Sequence, residues 1–176
     1  IHAESVDLNL LLEYVSDNYA QIIAENRIDF IVETDNVSTF ITDRNSLEKI
    51  LFNLISNAFK YTPSGGYINV GVSQDSGGNF RFHIRNSGKG LTEKQMSEIF
   101  SRFKIFESSN VKNSESTGIG LNLTKSLVEL LGGQISVDSS LGEYVDFDVV
   151  IPQMQLQQDA EIQPESSEII ESKREL

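Results

Sequence analysis

Asn53-Leu54-Ile55-Ser56-Asn57-Ala58-Phe59-Lys60-Tyr61-Thr62-Pro63 ends a helical pattern with polar residues in an unusual place. Upstream, Leu47, Ile50, Leu51, Leu54, Ile55 and Ala58 recur at the spacing of a buried helical stripe. Asp43 stands before them as an N-cap, and Pro63-Ser64-Gly65-Gly66 stops the run. Asn53, Asn57 and Lys60 fall at i, i+4 and i+7, so they stack along one further stripe. Asparagine is a poor helix former because its side chain competes with the backbone. Two of them on one stripe either face water or face something that needs their amides.

Nearer the N-terminus, Val6 to Glu25 carries Leu8, Leu11, Leu12, Val15, Tyr19, Ile22 and Ile23 at helical spacing, which predicts one amphipathic helix. Ile28, Phe30 and Val32 alternate, and Phe40 and Ile41 follow, which predicts a short hairpin turning at Asp35-Asn36. Beyond the asparagine helix, strands are expected over Tyr67–Gln74 and Asn79–Arg85, joined at Ser76-Gly77-Gly78. A glycine-punctuated region runs from Gly88 to Gly120. A third helix over Gly120–Leu131 ends at Gly132-Gly133. Gln134–Asp138 and Val145–Ile151 form a last strand pair. The order predicts an α+β fold, a two-layer sandwich with a mixed or mainly antiparallel sheet covered on one face by about three helices. Neither a P-loop nor a GxGxxG after a first strand is present.

Residues 1–152 read as one domain. After Pro152 the chain becomes glutamine- and glutamate-rich, and residues 153–176 read as a polar acidic linker or tail, or simply as a chain end. The 176 residues suffice for one core. A formal charge of −12 argues against a nucleic-acid-binding surface. The absence of cysteine excludes disulfides and thiolate chemistry, and two histidines, His2 and His83, make zinc and Ser-His-Asp sites poor readings. No apolar run approaches the length of about 18 residues that spans a bilayer, so no membrane contact is expected of these residues. Ile1 at the start suggests a piece of a longer parent.

The Asn53–Pro63 run resembles the asparagine-rich box of the histidine kinase ATPase superfamily, shared more distantly with gyrase and the Hsp90 chaperones. Three further segments resemble that family's boxes in the same order. Arg85-Asn86-Ser87-Gly88-Lys89-Gly90-Leu91 is similar to the first glycine box. Ile99-Phe100-Ser101-Arg102-Phe103 is similar to the phenylalanine box. Thr117-Gly118-Ile119-Gly120-Leu121 matches the second glycine box, and Leu130 to Pro152 resembles the closing segment. The likeness runs from Leu8 to Pro152. No single box is specific; the ordered set is.

The resemblance implies an ATP-binding catalytic domain with the Bergerat fold, using ATP and Mg2+. By it, Asn57 ligates Mg2+, to which a neutral amide oxygen is suited. Asn53 orients a phosphate, a water or the attacking group, and Lys60 meets phosphate oxygens. Tyr61 lies against base or sugar, or is a half-buried aromatic at a helix end. Gly88, Gly90 and Leu91 border the nucleotide, with Asn86 at the adenine. Arg102 and Lys104 reach phosphates or a partner domain, or form a solvated basic face. Gly118, Gly120 and Leu121 open a helix whose N-terminal amides attract phosphate. The two glycine boxes would then hinge a lid over ATP.

Two departures fall at the adenine end. The family's usual aspartate is Asn86 here, and Val145 replaces the threonine of the closing Gly-x-Gly-Thr-x-Phe. Asn86 keeps an acceptor but loses the charge, which about halves such a hydrogen bond. Weakened adenine binding is the expectation. By resemblance, the γ-phosphoryl group passes to a histidine on separate phosphoacceptor and dimerisation helices, and from there to a response-regulator receiver. His2, followed by Ala3-Glu4-Ser5, lacks the phosphoacceptor pattern, so it reads as a linker residue, and His83 as structural. The Asn-Ser-Gly-Lys-Gly variant looks like hybrid two-component sensors of Bacteroides-type bacteria, which would make this the cytoplasmic part of an inner-membrane sensor. Two alternatives stand: a nucleotide-silent interaction module, and an ATPase of the gyrase or chaperone kind. The latter carry a glutamate base in the asparagine box, a position that neither Glu48 nor Glu129 occupies.

Overall fold

The computed structural model describes residues 1–35, 37, 39–101 and 120–156. Arg102, Lys104 and Gly118, named above by resemblance, and most of the tail after Pro152 lie outside them.

Two sheets and five helices make up the described chain. A small sheet pairs β1 (Ala3–Asp7) with β3 (Thr39–Asp43), antiparallel. A five-stranded mixed sheet runs β2-β4-β5-β7-β6, with β2 (Asp29–Thr34) parallel to β4 (Tyr67–Gln74) and β5 (Phe80–Ser87), β7 (Tyr144–Ile151) and β6 (Gln134–Ser140) antiparallel. The α+β sandwich is as expected. Strand alternation places Ile68, Val70 and Val72 of β4, Phe80, Phe82 and Ile84 of β5, and Phe147, Val149 and Ile151 of β7 on one buried face.

Helix α3 (Arg44–Tyr61) lies on that face. Its expected stripe is buried throughout, and Asp43 caps it by accepting from the Ser46 N–H at 2.8 Å. Each such leucine or isoleucine contributes about 1.5–3 kcal/mol. Beside it lies α5 (Gly120–Leu130), burying Thr124 and Val128. Phe40 of β3 stacks on Phe80 at 4.0 Å, joining the small sheet to the main core.

The single N-terminal helix expected from periodicity is instead α1 (Leu8–Asp17) and α2 (Ala20–Asn26). The break is local. Asn18 Nδ2 donates to the Tyr14 carbonyl at 2.6 Å, competing for a helical acceptor, and Tyr19 leaves helical geometry (φ −110°, ψ 2°). Its ring stacks on Phe59 at 4.3 Å, so packing against α3 favours the kinked path. The expected hairpin does not form either. Alternation correctly located β2 and β3, but their partners are the non-local β4 and β1.

The other sheet face carries a polar ladder. Arg81 grips Asp148 through two bonds of 2.7 and 2.8 Å, and His83 and Arg85 each approach Asp146 to 3.1 Å. Burial pushes the Asp146 carboxyl above its ordinary pKa, while His83 and Arg85 pull it back.

Candidate functional site

Those expected site residues that are described fall at three places. The first is the C-terminal half of α3. Asn53 and Asn57 are half-buried there, as is Lys60. The Lys60 Nζ lies 5.4 Å from the Tyr61 ring centroid, and Tyr61 is partly exposed at the helix end. Thr62 then ends α3, its N–H and hydroxyl both turning back to the Ala58 carbonyl, at 3.0 and 2.6 Å.

The second is the end of β5. Asn86 is on the core side of the strand and 3% exposed. Its Nδ2 donates to the Ser87 carbonyl at 3.0 Å, which commits one amide hydrogen and turns the oxygen outward from that bond. Gly88 follows against the Tyr61 carbonyl, so the first glycine box abuts the end of α3. Gly90 has φ +68°, and a Cβ on it would stand 2.2 Å from the Ser140 carbonyl oxygen. Only glycine combines that conformation with that approach. The loop is tied to β6 and the β6–β7 turn: Gly142 N–H donates to the Lys89 carbonyl at 2.8 Å, and Leu91 N–H to Ser139 Oγ of β6 at 2.8 Å. Leu91 packs on the core.

The third is the N-terminus of α5. Gly120 lies directly against Asn53; a Cβ there would fall 2.6 Å from Asn53 Oδ1. A side chain at this position would displace the Asn53 amide. Asn53 Nδ2 also donates to Thr124 Oγ1, whose hydroxyl donates to the Gly120 carbonyl at 3.0 Å. Leu121 packs partly on the core. The fold therefore brings Asn53, the first asparagine of the expected stripe, to the glycine that opens α5. Helix N-terminal amides and partial positive charge favour anions there.

Sequence reasoning missed Thr124. Its signal was a polar residue in the apolar series Leu121, Thr124, Val128, where it is 1% exposed. It also missed α4 (Glu93–Glu98), although Thr92 and Gln95 form a reciprocal capping box ahead of it.

The histidines stand apart from these groups. The His2 N–H donates to Asp43 at 2.7 Å, and His83 projects from the opposite sheet face to Asn86. Among the described residues no group of three or more His, Cys, Asp or Glu could hold a metal, and no helix is long and apolar enough to cross a membrane. A cation brought in by phosphates fits the donor set better than a protein cage: Asn53 and Asn57 offer hard, neutral oxygens, the kind that complete a Mg2+ shell shared with phosphate and water.

Residues 42–155 match the model of the family described as histidine kinase-, DNA gyrase B-, and HSP90-like ATPase. The circadian input-output histidine kinase CikA of Synechocystis sp. is 33% identical over 156 residues, covering 87% of this chain but 21% of that protein. Thus the chain spans about a fifth of that relative. Among solved structures, the catalytic domain of histidine kinase ThkA in a nucleotide-free form superposes with a TM-score of 0.75 at 28% identity, covering 87% of this chain and 97% of that one. Full-length ShkA in complex with AMPPNP gives 0.74 at 25% identity, covering 87% and 31%.

Proposed function

The chain belongs to the family of histidine kinase-, DNA gyrase B- and HSP90-like ATPases, and from that premise we propose that it binds Mg-ATP and presents the γ-phosphoryl group to a histidine on a separate phosphoacceptor domain. The observation that carries this reading is the contact between Asn53 and Gly120. It joins a helix of amide ligands to a helix N-terminus, the two elements a metal–triphosphate needs at one place.

In this reading ATP supplies the transferable phosphoryl group, and the protein supplies position and charge. Asn57 is the Mg2+ ligand, and Asn53 faces the same end. Lys60 adds a positive charge near the phosphates, and the amides opening α5 receive phosphate oxygens. Asn86 accepts from the adenine amino group with its amide oxygen, since one amide hydrogen already serves Ser87. Tyr61, Gly88, Gly90 and Leu91 border the nucleotide. Arg102, Lys104 and Gly118 belong to the same reading by resemblance.

The acceptor histidine must come from elsewhere. His83 occupies the far sheet face, and His2 sits at the cap of α3. The partners are therefore phosphoacceptor helices and, downstream, a receiver domain, in the same or another chain. CikA and ShkA are both much longer than the matched domain, which suits such an arrangement. We place this domain on the cytoplasmic side of an inner-membrane sensor.

Direct hydrolysis by a gyrase-like base finds no support at the glutamates considered. Glu48 pairs with Arg44 at 2.8 Å in the first turn of α3, and Glu129 lies 3.8 Å from Lys125 near the far end of α5. Calorimetric titration of ATP with and without Mg2+ tests the proposal. Saturable binding strengthened by Mg2+ is expected; no binding with both in excess would reduce the likeness to a shared fold. Phosphate release without an acceptor domain should stay at background.

A further inference from the structure

The two ends of the Asn53 amide differ chemically, and the fold tells them apart. Thr124 donates its single hydroxyl hydrogen to the Gly120 carbonyl at 3.0 Å. A hydroxyl has one hydrogen and two lone pairs, so Thr124 can offer Asn53 only an acceptor. Asn53 must meet it with Nδ2, as it does. The carbonyl end is thereby assigned to the space above Gly120, where Oδ1 is the nearest atom to a Cβ built on that glycine. Thr124 is 1% exposed, so water does not compete for its oxygen. If Thr124 lacked the hydroxyl, the amide could turn over and present hydrogens, which repel a cation.

We propose that Thr124 is a positioning residue that fixes the Asn53 amide with its oxygen toward the metal–phosphate end of the nucleotide. The inference rests on the Mg-ATP reading above. Thr124 does not touch the ligand; it acts through Asn53, and it couples α3 to the first turn of α5.

The test is ATP titration, with and without Mg2+, on the wild-type chain, Thr124→Val, Thr124→Ser, Asn53→Ala and the Asn53→Ala/Thr124→Val double variant. Thermal melting checks folding of each. Thr124→Val should lose about tenfold in the Mg2+-dependent part of the affinity, the scale of lost outer-shell support, while Mg2+-free binding is unchanged. Thr124→Ser should stay within about twofold of wild type, because it keeps the hydroxyl. In the Asn53→Ala background, Thr124→Val should cause no further loss. Should Thr124→Val not fold, Thr124→Cys replaces the hydroxyl by a much weaker acceptor and carries the same expectation.

Wild-type affinity in Thr124→Val, an equal loss with and without metal, a loss in Thr124→Ser as large as in Thr124→Val, or additive losses in the double variant would each overturn the proposal. Failure of the wild type itself to bind sinks the nucleotide reading and this one with it. Wild-type binding with an unaffected Thr124→Val sinks this one alone.

Discussion

Asn86 and Val145 are directly paired residues of the β5–β7 ladder, so the two departures from the family's adenine-end pattern face each other across one pair of strands. A carboxylate at position 86 would need a donor beside it. Valine offers none, and asparagine needs none. The two replacements are physically consistent with one another: losing the hydroxyl is tolerable once the charge it would support is gone.

Asn86→Ala should weaken ATP binding about two- to twelvefold, the factor corresponding to a neutral hydrogen bond of 0.5–1.5 kcal/mol. Equal affinity of the two proteins by calorimetry would show that Asn86 does not read adenine. Asn86→Asp alone should destabilise the fold by about 2 kcal/mol, because it places a carboxylate at a position 3% exposed and opposite Val145. Adding Val145→Thr should recover much of that loss, measurable as non-additive shifts in urea denaturation.

Asn57→Ala should reduce the Mg2+-dependent gain in ATP affinity by at least about tenfold, as expected for loss of a direct metal contact. Asn57 is half-buried on a helix whose apolar stripe lies elsewhere, so the melting temperature should move little. A large fall in melting temperature with an unchanged Mg2+ effect would assign Asn57 to packing instead.

Gly90→Ala should cost about 2–3 kcal/mol in unfolding free energy, combining left-handed strain with a collision against the Ser140 carbonyl. Gly142→Ala separates the two contributions. Gly142 has φ +76° but open space around it, so only the conformational part, about 1 kcal/mol, should appear. Similar losses at both positions would mean that the β6–β7 turn yields to the added methyl.

Asp43 links stability to pH. The backbone N–H groups of His2, first, and of Ser46 hold its carboxylate below the ordinary aspartate pKa. A depressed folded-state value stabilises the fold above the unfolded pKa, and that stability is lost as pH falls through the lower folded value. Below about pH 4, wild type should therefore lose stability faster than Asp43→Asn, which still caps a helix but does not titrate there. Asp43→Ala should cost about 1 kcal/mol at neutral pH through loss of the cap. Parallel acid slopes for wild type and Asp43→Asn in denaturant titrations would remove Asp43 from the linkage. Asp146 acts with opposite sign: its raised pKa favours the fold at low pH, an effect that fades as pH rises through the elevated value.

The α3 segment was legible because everything that defines it is local: a capping carboxylate, an apolar period, a proline stop and amides on a separate stripe. The α1–α2 break was not, because periodicity continues through Asn18 and Tyr19, and the local Asn18 bond to the Tyr14 carbonyl is reinforced by Tyr19 stacking on Phe59, forty residues away in sequence. The pairing of β2 and β3 was illegible for a similar reason. Alternation reports which residues face inward, but not which strand lies alongside. At the candidate site, the resemblance of the ordered boxes pointed to Asn53, Gly88, Gly90 and Gly120, and the structure shows close approaches at those glycines. Thr124 escaped notice because its role depends on a hydrogen-bond partner seventy-one positions away.

β5 is bordered by β4 on one side and β7 on the other, and Asn86 sits near its end. Amides flanked on both sides by paired strands and covered by a buried face open only when the whole sheet comes apart. Deuterium uptake should therefore be slowest along Phe82 and Ile84, just before Asn86, and faster at β2 and β6, each of which has a neighbour on one side alone. In the proposed nucleotide reading, Asn86 carries the purine from the central strand of the sheet, so a ligand held there would inherit its orientation from the sheet.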